Sequence, residues 1–570
     1  MKKILNTILI VSGLCAAASC SFFDVEPQVI CSDTYYNTEK EVQYGLAGVY
    51  GVMSNEELYG NKYSLMISNI DDLCYFNREV GTNYLMYNRH NAGTTEIYEV
   101  WIELYQGIRN ANAFMEAVVN TKFDEDRRYY NEARFLRAYY HFLLAQAWGN
   151  VPLRTAAVTT HEQVMIANTP QYDVLKWVAA EMENCVELAA DELDNSPSRV
   201  TKTTVQGILA RVYLFMAGQS VKGVTDEDRI VYLSSAKKHA GAVINSKKHQ
   251  LNPDYAQVFK NLIMDKYDTE YRESMWEVDF MGDRSSAENW TNGRIGDEIG
   301  LQSGGNETNY SDWNCNYSYG RYDGSLKLWD LYWKMDRTDD QTELAEVTDK
   351  RQEWNMPPYN YSGNDKQVPF GSELTSGKSL PGVDKTVYVF KNERTDKNPL
   401  AAPAIRNCGK YRREIEFEGR KDSKRLYTTI NYPLLRYSDV LLMYAEAANE
   451  LSGPTDSAYM FVQQVRERAG IKTRDKSEYT QQTFQELVRN ERARELCFES
   501  LRKYDLIRWG VYVNEMNNYK EWTADERWAG NDKADRALNM GMSVSQRHVL
   551  LPIPSIELGV NDLLVQNPLW

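Results

Sequence analysis

Residues 127–149, RRYYNEARFLRAYYHFLLAQAWG, place Leu136, Tyr140, Leu143 and Ala147 at steps of four, three and four, and Gly149 and Pro152 follow. That spacing lays one apolar stripe along a helix, and the Gly and Pro stop it. Residues 101–118 repeat the pattern with Trp101, Leu104, Ile108 and Met115, and further periodic runs come at 171–190, 203–217 and 232–245. Helices of this modest length are marginal alone, so each stripe must be buried against a neighbouring helix. The first half of the chain is therefore expected to be paired helices, without a strict fixed-period repeat. Small residues beside a ring, Gly207 and Ala210 with Tyr213, are similar to tetratricopeptide packing.

From about residue 270 the texture changes. SMWEVDF (274–280) and TVYVF (386–390) read as short strands, set among long stretches rich in Gly, Asn, Ser and Tyr at 281–325 and 355–385. Loops of that length inside a compact protein are usually functional. Helical periodicity returns at 436–451, 455–469 and 484–509, and a Pro-punctuated, extended tail closes the chain. The expectation is one continuous, mainly α fold. Tetratricopeptide-like helix pairs form its scaffold, and an irregular loop-rich region with a few short strands is inserted before the C-terminal helices.

The first twenty residues, MKKILNTILIVSGLCAAASC, run from two lysines through an apolar stretch to small residues. The stretch is shorter than the ~20 residues of a membrane span, and the order is that of a signal peptide. Ala17, Ala18 and Ser19 lead into Cys20, which resembles a bacterial lipobox with Cys20 as the lipidated first residue. Cys15 is the poorer choice because Leu14 precedes it. Residues 1–19 are thus expected to be a signal peptide, and the acylated Cys20 to hold the body on a bilayer without crossing it.

Several classes of function fail on composition or spacing. A net charge of −15 with no basic stripe argues against nucleic acid. The histidines form no HExxH, so zinc is not indicated, and no DxDxDG pattern points to Ca2+. GSELTSGKS (371–379) has P-loop composition, but its glycines are one residue too far apart and Pro381 follows where a helix should run. Glu491, Arg492, Arg494, Glu495, Glu499, Arg502 and Asp505 alternate in sign; an ion-pair lattice between helices explains them better than an acid–base catalytic pair. The six cysteines beyond Cys20 contain no CxxC, and Cys185 and Cys497 sit in helical patterns as small core residues.

One stretch stands apart. NYSDWNCNYSYGRY (309–322) holds five rings among Asn, Ser, Asp and Gly, with no Leu, Ile or Val, in a chain with 39 Tyr against 16 Phe. A flat ring with a wet tip suits a sugar: the face covers its C–H patch while nearby polar groups bind its hydroxyls. The same rings could instead pin the loop to the body or meet a protein partner.

Taken together, PLLRYSDVLLMYAEAANEL (433–451), VRERAG (465–470), ERARELCFESLRKYDLIRWG (491–510) and LPIPSIEL with the terminal NPLW resemble the SusD/RagB family. TEKEVQYGLAGVYGVM (38–53), NEARFLRAYYHFLLAQAWGNVPL (131–153) and TKTTVQGILARVYLFMAG (201–218) extend the likeness over nearly the whole chain. The resemblance implies an N-terminal helical region over 20–270 and a C-terminal region with a ligand-loop insertion over 271–570. It also implies a surface-exposed outer-membrane lipoprotein that binds an oligosaccharide as the lid of a SusC-like TonB-dependent transporter, without cofactor or catalysis. Ligand contacts are then expected from the ring-rich insertion and from the early loop DDLCYFNREVGTNYLMYNRHNAG (71–93). Trp290, Tyr310, Trp313, Tyr317 and Tyr319 are the expected stacking rings, with Tyr75 and Tyr84 as further rings. Asn77, Arg78, Asn88 and Arg294 are the expected hydroxyl contacts. A peptide-capturing lid of RagB type and a helical-repeat docking adaptor stay open as alternatives.

Overall fold

The computed structural model describes residues 36–570 apart from 82, 159, 161–162, 192–196, 281–292, 304–316, 334–348, 358, 362–366, 370–373, 380–385, 391–404, 417–426, 526–527 and 529–531. Helices α1 (Glu39–Tyr50), α2 (Thr95–Val118), α3 (Arg128–Trp148), α4 (Gln171–Cys185), α5 (Lys202–Met216), α6 (Asp226–Ser246) and α7 (Tyr255–Met264) make the first half. Strand β1 (Cys74–Phe76) lies between α1 and α2, and β2 (Ser274–Val278) follows α7. Threonines start several of these helices: Thr38, Thr201 and Thr225 accept hydrogen bonds from the backbone N–H three residues on.

The second half runs β3 (Tyr322–Gly324), α8 (Leu326–Trp333), α9 (Lys350–Asn355), then β4 (Tyr359–Tyr361), β5 (Gln367–Pro369), β6 (Leu374–Ser379), β7 (Thr386–Phe390) and β8 (Tyr432–Arg436). It closes with α10 (Tyr437–Ser452), α11 (Asp456–Arg468), α12 (Gln481–Leu496), α13 (Arg502–Arg508), α14 (Tyr512–Asn517), α15 (Tyr519–Thr523), α16 (Lys533–Met542) and α17 (Ser555–Val560). The strands form two-stranded antiparallel pairs: β1 with β3, β2 with β8, β4 with β5 and β6 with β7.

Consecutive helices lie side by side, α2 on α3, α3 on α4 and α5 on α6, and α10 returns to pack on α6. This is the expected tetratricopeptide-like scaffold. The small-against-ring notch, however, is at Gly107, where a Cβ would sit 2.6 Å from the Tyr140 ring. Gly207 faces Leu435 of β8, not Tyr213, because β8 enters where a helix partner was expected. Other expectations are corrected too. The 355–385 stretch carries the paired strands β4, β5 and β6, and the P-loop look-alike lies largely in β6. The tail contains the short helix α17 after Pro554, where proline's fixed φ suits a helix start.

Residues 484–509, expected as one helix, break into α12 and α13. The carbonyls at the end of α12 are taken by side chains: Tyr332 donates to Arg494 (2.8 Å), Tyr255 and Lys410 to Glu495 (3.2 and 3.1 Å), and Lys410 to Cys497 (2.8 Å). Satisfied in this way, the carbonyls need no further helical turn. The chain then passes through the left-handed region at Phe498 (φ 65°) and Ser500 (φ 60°) before α13 starts.

The sign-alternating segment is an ion-pair lattice, and it is buried. Glu495 meets Arg351, Arg436 and Arg468 at 2.9, 2.9 and 2.6 Å, while Arg436 also reaches Glu273 (2.9 Å) and Glu499 (2.7 Å). Glu491 pairs with Arg351, Arg466 and Arg494; Arg492 pairs with Asp439 and Asp505. Burial alone would raise these carboxyls, but the guanidinium groups outweigh it. Glu491, Asp439 and Glu446 are held at about 2, and Glu495 is held well below its usual range. In the opposite sense, burial and a neighbouring acid push Asp71 to about 7 and Glu277 to about 8.

The signs fix the pH dependence. Depressed carboxyls stabilise the fold fully above their unfolded values and lose that stabilisation as pH falls toward 2. Raised carboxyls favour the fold while protonated and weaken it as pH rises from 4 to 8. Melting temperature is expected to peak near about pH 5, dropping steeply on the acid side and gently toward pH 8 in a series of thermal melts. Arg436→Met, which strips a cation from three buried carboxylates, should lower the unfolding free energy at neutral pH by about 3–5 kcal/mol in denaturant titration.

Candidate functional site

The early loop and the ring-rich segment, far apart in sequence, are joined by strand pairing. β1 runs antiparallel to β3 with Tyr75 opposite Asp323, and Asp323 bridges in turn to Asn407. Asp323 is fully buried at the centre of this small frame. Its carboxylate accepts hydrogen bonds from the Tyr75 hydroxyl (3.0 Å), the Asn77 and Asn407 amides (2.6 Å each) and the Lys533 ammonium (2.6 Å). The Gly320 carbonyl accepts from the same two asparagines, at 2.8 and 3.2 Å. Gly320 has φ 51°, and a Cβ there would lie 2.6 Å from the Gln302 nitrogen, so only glycine fits.

Each strand of the frame is fastened at its far end to the buried charges. Asp72, just before β1, pairs with Arg502 at 2.8 Å and with Lys327 at 2.5 Å, and Lys327 itself follows β3. Lys410, three residues beyond Asn407, pairs with Glu499 at 2.7 Å.

On the rim stand two half-buried rings. Tyr317 and Tyr319 meet edge to face, with centroids 5.0 Å apart and planes at 89°. The Arg321 guanidinium lies over the Tyr319 ring at 4.1 Å and pairs with Glu298 at 2.9 Å. Arg78 donates to the Tyr319 carbonyl (2.5 Å) and to the Asn77 amide oxygen. Arg413 donates to the Tyr317 carbonyl at 2.6 Å, and Arg536 to the Asn77 carbonyl at 2.5 Å. Below the rings, Asp297 takes the Tyr319 N–H on its carbonyl, and burial followed by the neighbouring Glu298 raises its carboxyl to about 7.

The expected contact residues fall into three groups. Tyr317, Tyr319 and Arg78 come together on the rim, and Tyr84 is 52% exposed on the loop that Arg78 begins. The other four described residues have partners within the protein. Tyr75 and Asn77 are buried on Asp323. Asn88 is buried in the left-handed region (φ 53°), donating to the Met540 carbonyl at 3.2 Å. Arg294 is spent on Glu56, Asp297 and Glu298. Trp290, Tyr310 and Trp313 lie outside the described residues. The segments that carry them have closed necks: Ser303 and Ser318 bridge (2.9 and 3.3 Å) across 304–316, and the Phe280 ring packs on Gly293 across 281–292.

The sequence reading missed Arg321, Asp323, Arg413, Lys533 and Arg536. The first two sit in GRYDG immediately after the rings and were within its reach; the others come from distant segments with no local signal. Chemically the rim offers ring surface and guanidinium donors. Among the described residues, no group of three or more His, Cys, Asp or Glu is arranged to hold a metal. A separate groove of about 490 Å3 lies along α2 and α17, lined by the exposed Ile102, Val158, Val164, Met165 and Val560 together with the half-buried Tyr105 and the exposed Arg109.

A helical-pair scaffold thus carries a loop-borne rim of rings and guanidinium groups. Residues 272–570 match the family described as the SusD family, and residues 21–214 match one described as "Starch-binding associating with outer membrane". The chain belongs to the SusD family. It is 26% identical to SusD-like protein P25 of Formosa agariphila, over 99% of this chain and 98% of that one. A SusD-like protein of Bacteroides ovatus is 22% identical over 100% and 98%. The fold is shared with a SusD homolog of Bacteroides thetaiotaomicron, with TM-score 0.77, 24% identity and 95% and 98% coverage. It is also shared with a protein described as a laminarin-binding SusD-like protein, with TM-score 0.63, 19% identity and 94% and 100% coverage. No helix among the described residues is long and apolar enough to cross a membrane.

The frame and the rim should separate by mutation. Asp323→Ala removes the buried acceptor shared by the half-buried Lys533 ammonium, the Tyr75 hydroxyl and two asparagine amides, and should cost about 3 kcal/mol of stability. Tyr317→Ala, at a half-exposed ring, should shift the melting temperature by no more than a degree or two. Thermal melts of the two variants side by side check this.

Proposed function

We propose that this chain is a lipid-anchored, surface-exposed binding protein of the outer membrane that captures an oligosaccharide and passes it to a SusC-like TonB-dependent transporter, acting as its lid. The observation that carries the reading is the Tyr317–Tyr319 ring pair, held with Arg78 on a buried frame that joins the two loops expected to contact ligand. Half-buried tyrosines on a rigid base give a sugar a flat apolar face with little ordering cost, and the guanidinium groups beside them donate to hydroxyls. Trp290, Tyr310 and Trp313 would extend the platform from the two closed-neck segments, and Tyr84 would approach from the early loop.

Membership of the SusD family supports the transport partnership, and the laminarin-binding description of one structural relative supports the ligand class. Binding, not catalysis, is the proposed role: the buried carboxylates Glu491 and Glu495 of α12 are neutralised by arginines. The mature protein would begin at the lipidated Cys20 after loss of residues 1–19. Residues 20–270 and 271–570 would then form a helical region and a ligand-loop-bearing region of one fold.

Intrinsic tryptophan fluorescence of residues 21–570, titrated with purified plant, host and microbial glycans and a peptide pool, tests the proposal. Saturable change with one glycan class is expected, and saturation by peptides alone would move the protein to peptide capture. The anchor is tested separately: Cys20→Ala should move the protein from the membrane fraction to the soluble fraction, and unchanged retention would contradict lipidation at that residue.

A further inference from the structure

Most buried or half-buried guanidinium groups near the rim have a carboxylate. Arg294 and Arg321 share Glu298, and Arg413 pairs with Glu416. Arg78 has none. Its hydrogen-bond partners are the neutral Asn77 amide oxygen and the Tyr319 carbonyl, and among the described residues no carboxylate stands within ion-pairing distance of it. Asp323 attracts it from beyond ion-pairing distance, but the two oxygens of that carboxylate are already taken by Tyr75, Asn77, Asn407 and Lys533.

The other charges around Arg78 add to the imbalance. Arg321 and Arg536 both lie close enough to repel it. Arg536 is balanced only by Asp532 and Glu79, whose carboxylates are 76% and 88% exposed and therefore heavily screened. Partial burial next to two like charges is a costly place for a cation, and the cost is removed when an anion enters. That a chain of net charge −15 concentrates unmatched positive charge beside its two rim tyrosines calls for a ligand that uses it.

We propose that the saccharide taken at Tyr317 and Tyr319 is anionic, carrying a carboxylate or sulfate group that pairs with Arg78. Guanidinium geometry matches either group with two parallel N–H···O bonds, and Arg321 and Arg536 add attraction from the flanks. This rests on the saccharide-binding reading above and narrows it to a charge class. The sugar face stacks on ring surface while its acidic substituent points toward the loop that carries Arg78. Because the remainder of the chain is negative, the attraction is local.

The full chain, purified in detergent, is titrated with oligogalacturonate, a sulfated galactan oligosaccharide, their carboxyl-reduced and desulfated counterparts, and neutral gluco- and xylo-oligosaccharides. An uronate or a sulfated ligand is expected to bind at least about tenfold more tightly than its neutralised counterpart, and which of the two does so identifies the acidic group. Arg78→Gln should weaken the charged ligand by a larger factor than its neutral counterpart, closing that margin; Arg78→Lys should keep part of it. Should Arg78→Gln fold poorly, Arg321→Gln, which leaves the Tyr319 carbonyl bond in place, should narrow the same margin. Equal or tighter binding of neutral saccharides overturns the inference and leaves saccharide capture standing. An equal loss of charged and neutral ligands in Arg78→Gln also overturns it, since Arg78 would then act only by holding Tyr319. Silence across the whole panel overturns both readings.

Discussion

Helix α9, strand β8 and helix α11 meet α12 at one buried carboxylate, Glu495, and the three guanidinium groups that keep it charged. Its partners arrive from α9, from the end of β8 and from α11, and Arg436 brings Glu273 and Glu499 into the same cluster. An ion lattice of this kind adds little net stability over a well-packed apolar core, but a misplaced element leaves a bare charge in the interior. Its effect is to admit one arrangement of those elements. The same cluster ends α12 by drawing Lys410, Tyr255 and Arg436 onto its last carbonyls.

That constraint reaches the candidate site directly. Asp72 and Lys327 stand beside the two strands of the small frame and Lys410 beside its Asn407 bridge; Asp72 pairs with Arg502 and Lys327, and Lys410 with Glu499. The frame in turn sets Tyr317, Tyr319 and Arg78 through Asp323, Asn77 and the Gly320 carbonyl. Site geometry is thus inherited from the core through a chain of charge-assisted bonds and does not depend on loop packing alone. Rings held this way are already ordered by the body that carries them.

Helix existence and the ion-pair character of 491–505 were legible because a 3.6-residue period and alternating sign are local properties. What the local pattern could not supply was the partners: Arg351 and Arg436 are distant in sequence, and so are Tyr255, Tyr332 and Lys410, whose bonds to the last carbonyls accompany the break after Leu496. The ring-rich stretch was legible as composition, and Tyr317 and Tyr319 are where that reading placed them. Tyr75, Asn77 and Asn88 show its limit. In a loop, tyrosine and asparagine look the same whether they face solvent or hold up a buried carboxylate, and only the pairing of β1 with β3 decides. Lys533 and Arg536 were beyond reach for the same reason that Arg351 was.

The closed necks at Ser303–Ser318 and Phe280–Gly293 have a consequence for how such a protein diversifies. When the two ends of a segment are already held together by the body, lengthening or rewriting what lies between them adds only a slowly growing closure entropy. A change of length or sequence between ends joined in this way leaves the lattice, the frame and the helical scaffold as they are, like a handle that outlasts its bits.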